Sequence, residues 1–539
     1  MDCPVALDSV VYLFIGFSVL YIVALSIHRL YWSPISQFPG PKAAALTFWY
    51  EFYFDVYLQG KYAWKIQELH QRYGPIVRIN PEELHIDDAG FYDQIYVGNR
   101  KTDKWHWSAK MFGTKTAAVG TTDHDLHRMR RTALNPFFSK QSVGHWEDII
   151  QLSIDRLYSR LSCLAESALP VNLSDAFTAV SGDVISSYTF GESYNLVEQE
   201  DFAPEWRKLM LELSKNTHLM KQFGWAYVLL TRLPEALVGL LHPLSRALFK
   251  LRNGISNQIR ATKRIDAKAD TDTRQTIFHG LLFGNLPESE KSAARLTDEG
   301  LTIIGAGTVT TAHTLSTIFF HLLSEPTLSS RLQKELATAS QKKASLRWDD
   351  LANLPYLSAI VSEGLRLSFG VSHRLQRISP DTALQYRDWT IPRGTPVSMT
   401  QMFIMQDPTI FPRPREFIPE RWLDDPELRG DRFTDTNFPP PRLAKKFLVP
   451  FSRGSRACLG MNLAYAEIYL TIGTLLLRRP AGLVFELFET DGRDVETVHD
   501  FFNPCPRLDS EGVRVRVMKS DVAESGGGVM DRSMVEKSL

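Results

Sequence analysis

The chain has 539 residues, with 61 Lys+Arg against 61 Asp+Glu, 44% hydrophobic residues and 23% charged ones. That length and apolar content allow one large domain, or two to three ordinary ones, around a sizeable core, and the balanced charge offers no field for nucleic acid or any polyanion. Four scattered cysteines, Cys3, Cys163, Cys458 and Cys505, are too few for a disulfide framework and make a reducing compartment the simpler setting.

From the N-terminus, Ser9 to Ile27 carries no charge. At 1.5 Å per residue such a helix approaches the ~30 Å hydrocarbon thickness of a bilayer. A secretory signal wants a positive start, but Asp2 and Asp8 precede this segment while Arg29 and Lys42 follow it. The pattern predicts a retained anchor over residues 1–30, with Tyr31 and Trp32 at the interface and everything downstream on the cytosolic side. Ser33-Pro34 and Phe38-Pro39-Gly40-Pro41 predict a stiff proline-containing connector over 31–60. Ile76 to Ile79 and Leu84 to Ile86, split by Asn80-Pro81, read as two short strands. Beyond them the pattern is mostly helical, punctuated by prolines, giving one mainly α domain with a small β region over 61–519. The stretch 520–539, with Gly526-Gly527-Gly528, is expected to be a disordered tail.

Within that domain, His127 and Arg131 fall one helical turn apart on one face. Thr297 to Ser324 is the longest helical candidate, ~42 Å long, and its acidic start and many Thr and Gly make it a poor second span. Gly305 and Gly307 are expected to loosen it around Ala306-Gly307-Thr308-Val309-Thr310-Thr311, where a threonine hydroxyl can bond back to a carbonyl or release it to water. Glu363 and Arg366 share a helix face, and Arg421 lies in Pro419-Glu420-Arg421-Trp422 downstream. Finally, Cys458 sits between Gly454 and Gly460, beside Arg456, just before the apolar run Leu463 to Leu477. A helix N-terminus favours an anionic sulfur, and the glycines remove Cβ atoms where backbone would press against something flat. The physical reading is a thiolate offered to a haem iron, with a propionate held by Arg456.

Phe451, Gly454, Arg456, Cys458 and Gly460 match every fixed position of the haem-binding signature of the cytochrome P-450 monooxygenases. The resemblance runs from about Phe38 to Val517 and implies that family's haem-thiolate fold behind one N-terminal transmembrane helix. It implies haem b with Cys458 as axial ligand, and O2 as co-substrate. It further implies that Arg131 and Arg377 contact the propionates, with His127 where the family usually has Trp. Ala306, Gly307, Thr310 and Thr311 resemble the oxygen-activating segment, Thr310 standing at the proton-delivering position. Glu363, Arg366 and Arg421 resemble a buried triad that serves folding and haem retention. Where the family usually places Asp or Glu before the threonine, this chain has Val309, which cannot relay a proton. Water held by Thr308, Thr310 or Thr311 is the expected substitute.

No flavin or nicotinamide fingerprint occurs, so the resemblance implies electrons from a separate membrane-bound NADPH–cytochrome P-450 reductase. Arg442, Lys445, Lys446 and Arg453 are candidate docking charges. Candidate substrate contacts are Trp105 to Thr122, Met210 to Phe223, Ile304 to Thr308, Val371 to Gln376 and Phe501 to Cys505. Their apolar character suits an apolar small molecule. The stretches Phe38 to Lys42, Trp49 to Tyr53 and Asp123 to His127 resemble fungal secondary-metabolism members of the trichodiene-oxygenase-like type. That likeness implies a terpenoid or polyketide intermediate, and a single-pass endoplasmic-reticulum protein with a cytosolic catalytic domain. Two other readings stay open. One is a haem-thiolate isomerase or dehydratase, suggested by Val309 and independent of NADPH. The other is a non-catalytic haem sensor or electron carrier.

Overall fold

The computed structural model describes residues 4–167, 169–225, 243–264, 276–343, 345–425, 427, 438–477 and 483–519; the expected disordered tail lies outside them. Helix α1 (Pro4–Ile27) is apolar all round and continues as a π-helical turn to Trp32. From Ser9 on most of its side chains stand exposed: Tyr12, Phe14 and Phe17 are each more than 70% exposed. The 24-residue helical run Ser9–Trp32 is long and apolar enough to cross a bilayer, and Tyr31 and Trp32 stand exposed at its end. Removing residues 1–30 is expected to move the protein from the membrane pellet to the soluble fraction with its haem content unchanged. A truncated chain that stays in the pellet would show that the globule itself carries the attachment.

The connector is shorter than the prolines suggest. From Lys42 the chain folds onto the globule as α2 (Lys42–Leu46) and α3 (Trp49–Phe52), the latter prolonged by a π-helical turn to Tyr57. Glu51 and Asp55 in this stretch are fully buried, and their cationic partners lie far along the chain at Lys221 and Arg374. Such distant pairing leaves no local mark in the sequence.

The two expected strands form as β1 (Ile76–Arg78) and β2 (Leu84–Ile86), antiparallel with Ile76 opposite Ile86. Later in the chain come β3 (Pro170–Asn172), β4 (Arg377–Ile378), β5 (Leu384–Tyr386), β6 (Trp389–Ile391), β7 (Pro396–Ser398), β8 (Leu483–Leu487), β9 (His499–Phe501), β10 (Asn503–Cys505) and β11 (Arg514–Lys519). They make one four-stranded sheet, β1-β2-β7-β4, one three-stranded sheet, β3-β11-β8, and the hairpins β5-β6 and β9-β10. Most of the other regular structure among the described residues is helical. The elements that place the site are α4 (His124–Leu134), α5 (Leu173–Phe190), α6 (Pro204–Lys215), α7 (Thr217–Gln222), α8 (Ala293–Ser324), α9 (Pro355–Ser368), α10 (Pro441–Phe447) and α11 (Met461–Leu477).

Helix α8 threads the globule and is two-thirds buried, which separates it from a membrane span of equal length. It begins four residues before Thr297 because Ser292 caps its N-terminus on Arg295 N–H. The expected loosening does not occur: the helix is regular α throughout. Gly307 instead lets α8 press on α5, since a Cβ there would lie 2.7 Å from Ile185 Cγ1.

Glu363, Arg366 and Arg421 meet in the interior, each at most 3% exposed. Arg366 grips both oxygens of Glu363 at 2.7 and 2.8 Å, and Arg421 Nε donates to the same carboxylate at 3.0 Å. Arg366 also donates to the carbonyls of Met405, Pro414 and Glu416. The group thereby fastens α9 to the irregular chain that leads toward Cys458.

Candidate active site

The loop Phe451 to Gly460 is held against the globule by its own backbone. Cys458 N–H donates to the Phe451 carbonyl at 2.8 Å, and Ser455 N–H to that of Val97 at 3.1 Å. Gly454 takes a φ of +76°, and a Cβ there would meet Val97 O at 2.4 Å. Its glycine is therefore required by the protein's own backbone, not by the flat group expected from sequence. Gly460 is the opposite case: no protein atom lies within 4 Å of where its Cβ would be, and it borders a cavity. The Cys458 side chain opens onto the same cavity. Enclosure by protein pushes its thiol pKa up, while the Gly460 N–H and Arg131 pull it back down.

The cavity measures about 480 Å³. Phe451, Cys458, Gly460 and Leu463 line one side, and Gly305, Ala306, Gly307, Val309, Thr310 and Thr311 of α8 another. Lys104, His127, Arg131, Arg377 and Arg456 also line it. The four cations spend their donors on carbonyls. Arg456 donates to Thr121 O and Thr122 O at 2.7 Å, Arg131 to Ala457 O at 2.7 Å, Arg377 to Gln376 O at 2.9 Å and Lys104 to Val119 O at 2.5 Å. Among the described residues none of them has a carboxylate partner, and Arg456 Nε has no partner at all.

The electrostatic result is strained. Burial and then Arg377 push the Arg456 guanidinium down to about 9. Burial, with Arg456 and Arg377, drives Lys104 well below the ordinary lysine range. Burial, followed by Arg456, Lys104, Arg131 and Arg377, pushes His127 down to about 2, so its imidazole is neutral. Clustered, largely enclosed cations are costly; Asp103 and Asp123 offset Arg456 only in part, and a group bearing two carboxylates would relieve the rest. A planar group seated over the open face of Gly460, with a metal at Cys458 and two propionates toward this basic cluster, fits the residues present. Haem has that chemistry.

Of Thr308, Thr310 and Thr311, the last two line the cavity, and Thr310 Oγ1 donates back to Ala306 O at 2.9 Å. Thr308 does not share that position. It is fully buried, bonded to Ile304 O at 2.7 Å, and so cannot hold water over the cavity. Val309 does line it.

Three lining residues were not singled out from sequence as charged groups of the site: Lys104, Glu299 and Glu467. Lys104 immediately precedes a stretch read as substrate-contacting, and nothing local marks its lysine as special. Glu299 pairs with Arg295 at 2.7 Å. Glu467 on α11 is held protonated by burial, well above the usual carboxylate range. The expected substrate segments do reach the cavity, through Phe112, Met210, Met220, Val371, Leu375 and Phe502 among others. Of the candidate docking charges, Arg442 and Lys446 are exposed on α10, whereas Lys445 pairs with Asp424 at 2.9 Å and Arg453 with Asp93 at 2.6 Å.

Comparison with known proteins agrees with this geometry. The sequence profile of the cytochrome P-450 family matches residues 39–481. The chain is 44% identical to a tryptophan 6-hydroxylase of Fusarium equiseti, over 93% of this chain and 96% of that protein. It is 43% identical to an N-acetyltryptophan 6-hydroxylase of Emericella nidulans, over 93% and 96%. It is 41% identical to the cytochrome P-450 monooxygenase tpcC of Cochliobolus heterostrophus, over 96% and 98%.

Proposed function

Since the chain belongs to the cytochrome P-450 family of monooxygenases, we propose that it binds haem b through Cys458 and inserts one oxygen atom from O2 into an apolar small molecule of fungal secondary metabolism. The observation that carries this reading is the Cys458 side chain opening onto an apolar cavity that α8 and four cations, Lys104, Arg131, Arg377 and Arg456, also border. Bound there, haem supplies O2 activation and the oxidation itself, which a thiolate ligand favours. The protein's own residues do the rest. Gly460 N–H and Arg131 stabilise negative charge on the Cys458 sulfur. Lys104, Arg131, Arg377 and Arg456 would hold the two propionates, whose charges would offset part of theirs.

Thr310 Oγ1 can exchange its bond to Ala306 O for one to a water, which would then deliver protons in the cavity. With Val309 beside it in place of an acid, that supply is the weak step. Val309→Asp is expected to raise the product formed per NADPH consumed by a few-fold. Unchanged coupling would mean that protons are not limiting.

Electrons come, in this reading, from a membrane-bound NADPH reductase docking near Arg442 and Lys446 at the endoplasmic-reticulum surface. The substrate side of the cavity offers neutral polar pairs, Thr114 with Thr302 at 3.1 Å and Asn503 with Ser214 at 2.9 Å, amid aliphatic and aromatic walls. That suits a terpenoid or polyketide with one or two hydroxyl or carbonyl groups. A second reading, an indole amino-acid substrate, is favoured by the two relatives that hydroxylate tryptophan and N-acetyltryptophan. Microsomes carrying the chain and a reductase, given 18O2 and a panel of terpene, polyketide and tryptophan-type precursors, decide between them. One 18O atom per product is expected, with NADPH required. Turnover without NADPH would point instead to the isomerase or dehydratase reading that Val309 suggests.

A further inference from the structure

A second set of ligating side chains lies buried outside the cavity lining. His218 on α7, His373 between α9 and β4, and Asp500 on β9 are each at most 1% exposed. One side-chain ligand atom from each lies within 4.8 Å of the others. Their hydrogen bonds fix the tautomers, because a carboxylate and a carbonyl only accept. His373 donates from Nδ1 to Asp500 Oδ2 at 2.8 Å, and His218 donates from Nε2 to the Asp500 carbonyl at 2.5 Å. In the neutral rings the opposite nitrogens, His373 Nε2 and His218 Nδ1, then carry lone pairs. Both are buried without a hydrogen-bond partner, as is Asp55 Oδ1. An imidazole whose N–H is held by a carboxylate or carbonyl while its other nitrogen stands free is the arrangement behind metal-ligating histidines. His218 Nδ1 and Asp55 Oδ2 are 3.3 Å apart. That matches the separation of about 3.3 Å between ligand atoms on a tetrahedral ion with ~2.0–2.1 Å bonds.

Charge balance points the same way. Glu51, Asp55, Glu83 and Asp500 are all buried here, and among the described residues only Lys221 and Arg374 are permanent cations paired with them. Two negative charges remain. Asn80, Ser372 and Ser398 add only neutral hydrogen bonds, and burial keeps the nearby His85 neutral. Protonating both imidazoles would balance the count but leave His373 Nε2–H a buried donor facing no acceptor. A divalent cation balances it and uses the free lone pairs.

We propose that His218 Nδ1, His373 Nε2 and a carboxylate oxygen of Asp55 bind one divalent transition-metal ion of the zinc type, separate from the haem iron, with Asp500 holding both imidazoles by their other nitrogens. The ion joins three segments that each wall the cavity, through Thr217 and Met220, Val371 and Leu375, and Phe502 and Asn503. Its role is to fix the shape of the substrate side.

The test is elemental analysis of detergent-solubilised full-length holoenzyme, purified without a polyhistidine tag, loaded with zinc and dialysed. About one zinc per haem iron is expected; Asp500→Asn should bind zinc about 10- to 100-fold more weakly, and His373→Gln should lose it. Haem content and the ferrous–CO spectrum report whether each variant has folded. Wild-type protein that retains no stoichiometric zinc overturns the proposal, as does a haem-replete His373→Gln protein that keeps it. Should both variants fail to fold, zinc-edge X-ray absorption of the wild type decides. Imidazole and carboxylate donors are expected there; sulfur donors, or water alone, would overturn the site.

Discussion

Replacing Cys458 by alanine is expected to abolish both the red-shifted ferrous–CO band of a thiolate-ligated haem and all NADPH-dependent product formation. Cys163 is exposed on the surface and Cys505 lies in β10, while the Cys458 side chain alone among the described cysteines opens onto the cavity. Among the described residues His127 is the one imidazole lining the cavity, and it sits with the cations that are suited to the propionates. The expected loss is complete rather than partial, since push from the thiolate is what favours O–O cleavage. The variant can still bind haem through its basic residues, so measured haem content separates loss of the ligand from loss of the cofactor. Retention of the thiolate-type band would refute the assignment.

The second large effect is expected at Glu363. Its carboxylate accepts from Arg366 twice, from Arg421, from Trp422 Nε1 at 2.9 Å and from Ile418 N–H at 2.9 Å. Burial by itself would raise its pKa, but Arg366 and then Arg421 override this and hold it down to about 2. Because the folded-state value lies below the ordinary 4.5, the stabilisation is fully present above about pH 4.5. It is lost as the pH falls toward 2, a difference worth about 3 kcal/mol. Glu363→Ala leaves two buried guanidinium groups unpaired and should cost about 3–5 kcal/mol, with haem lost on purification. Thermal melts with parallel haem quantification measure this. A loss below about 1 kcal/mol would reduce the triad to an ordinary surface-type pair.

What the sequence made legible was whatever depends on short spacing. The loop around Cys458, the Glu363–Arg366 turn and the β1–β2 pair all form within a few residues of one another, and each was readable before any coordinates. Thr308 was also within reach, because two residues at 100° each turn it to the far side of α8 from Thr310. What could not be read depends on pairing across the chain. Lys104 acquires meaning only beside Arg377 and Arg456, and Glu51 only beside Lys221 and Arg374. Gly454 was rightly placed in the loop for the wrong reason, since its neighbour is the backbone of Val97.

Iron-edge X-ray absorption on the purified resting protein tests the haem-thiolate centre most directly. One sulfur in the iron's first shell, together with the porphyrin nitrogens, is expected, and it should vanish in Cys458→Ala. A first shell of nitrogen and oxygen alone in the unaltered protein would contradict the assignment of Cys458, and with it the proposed chemistry.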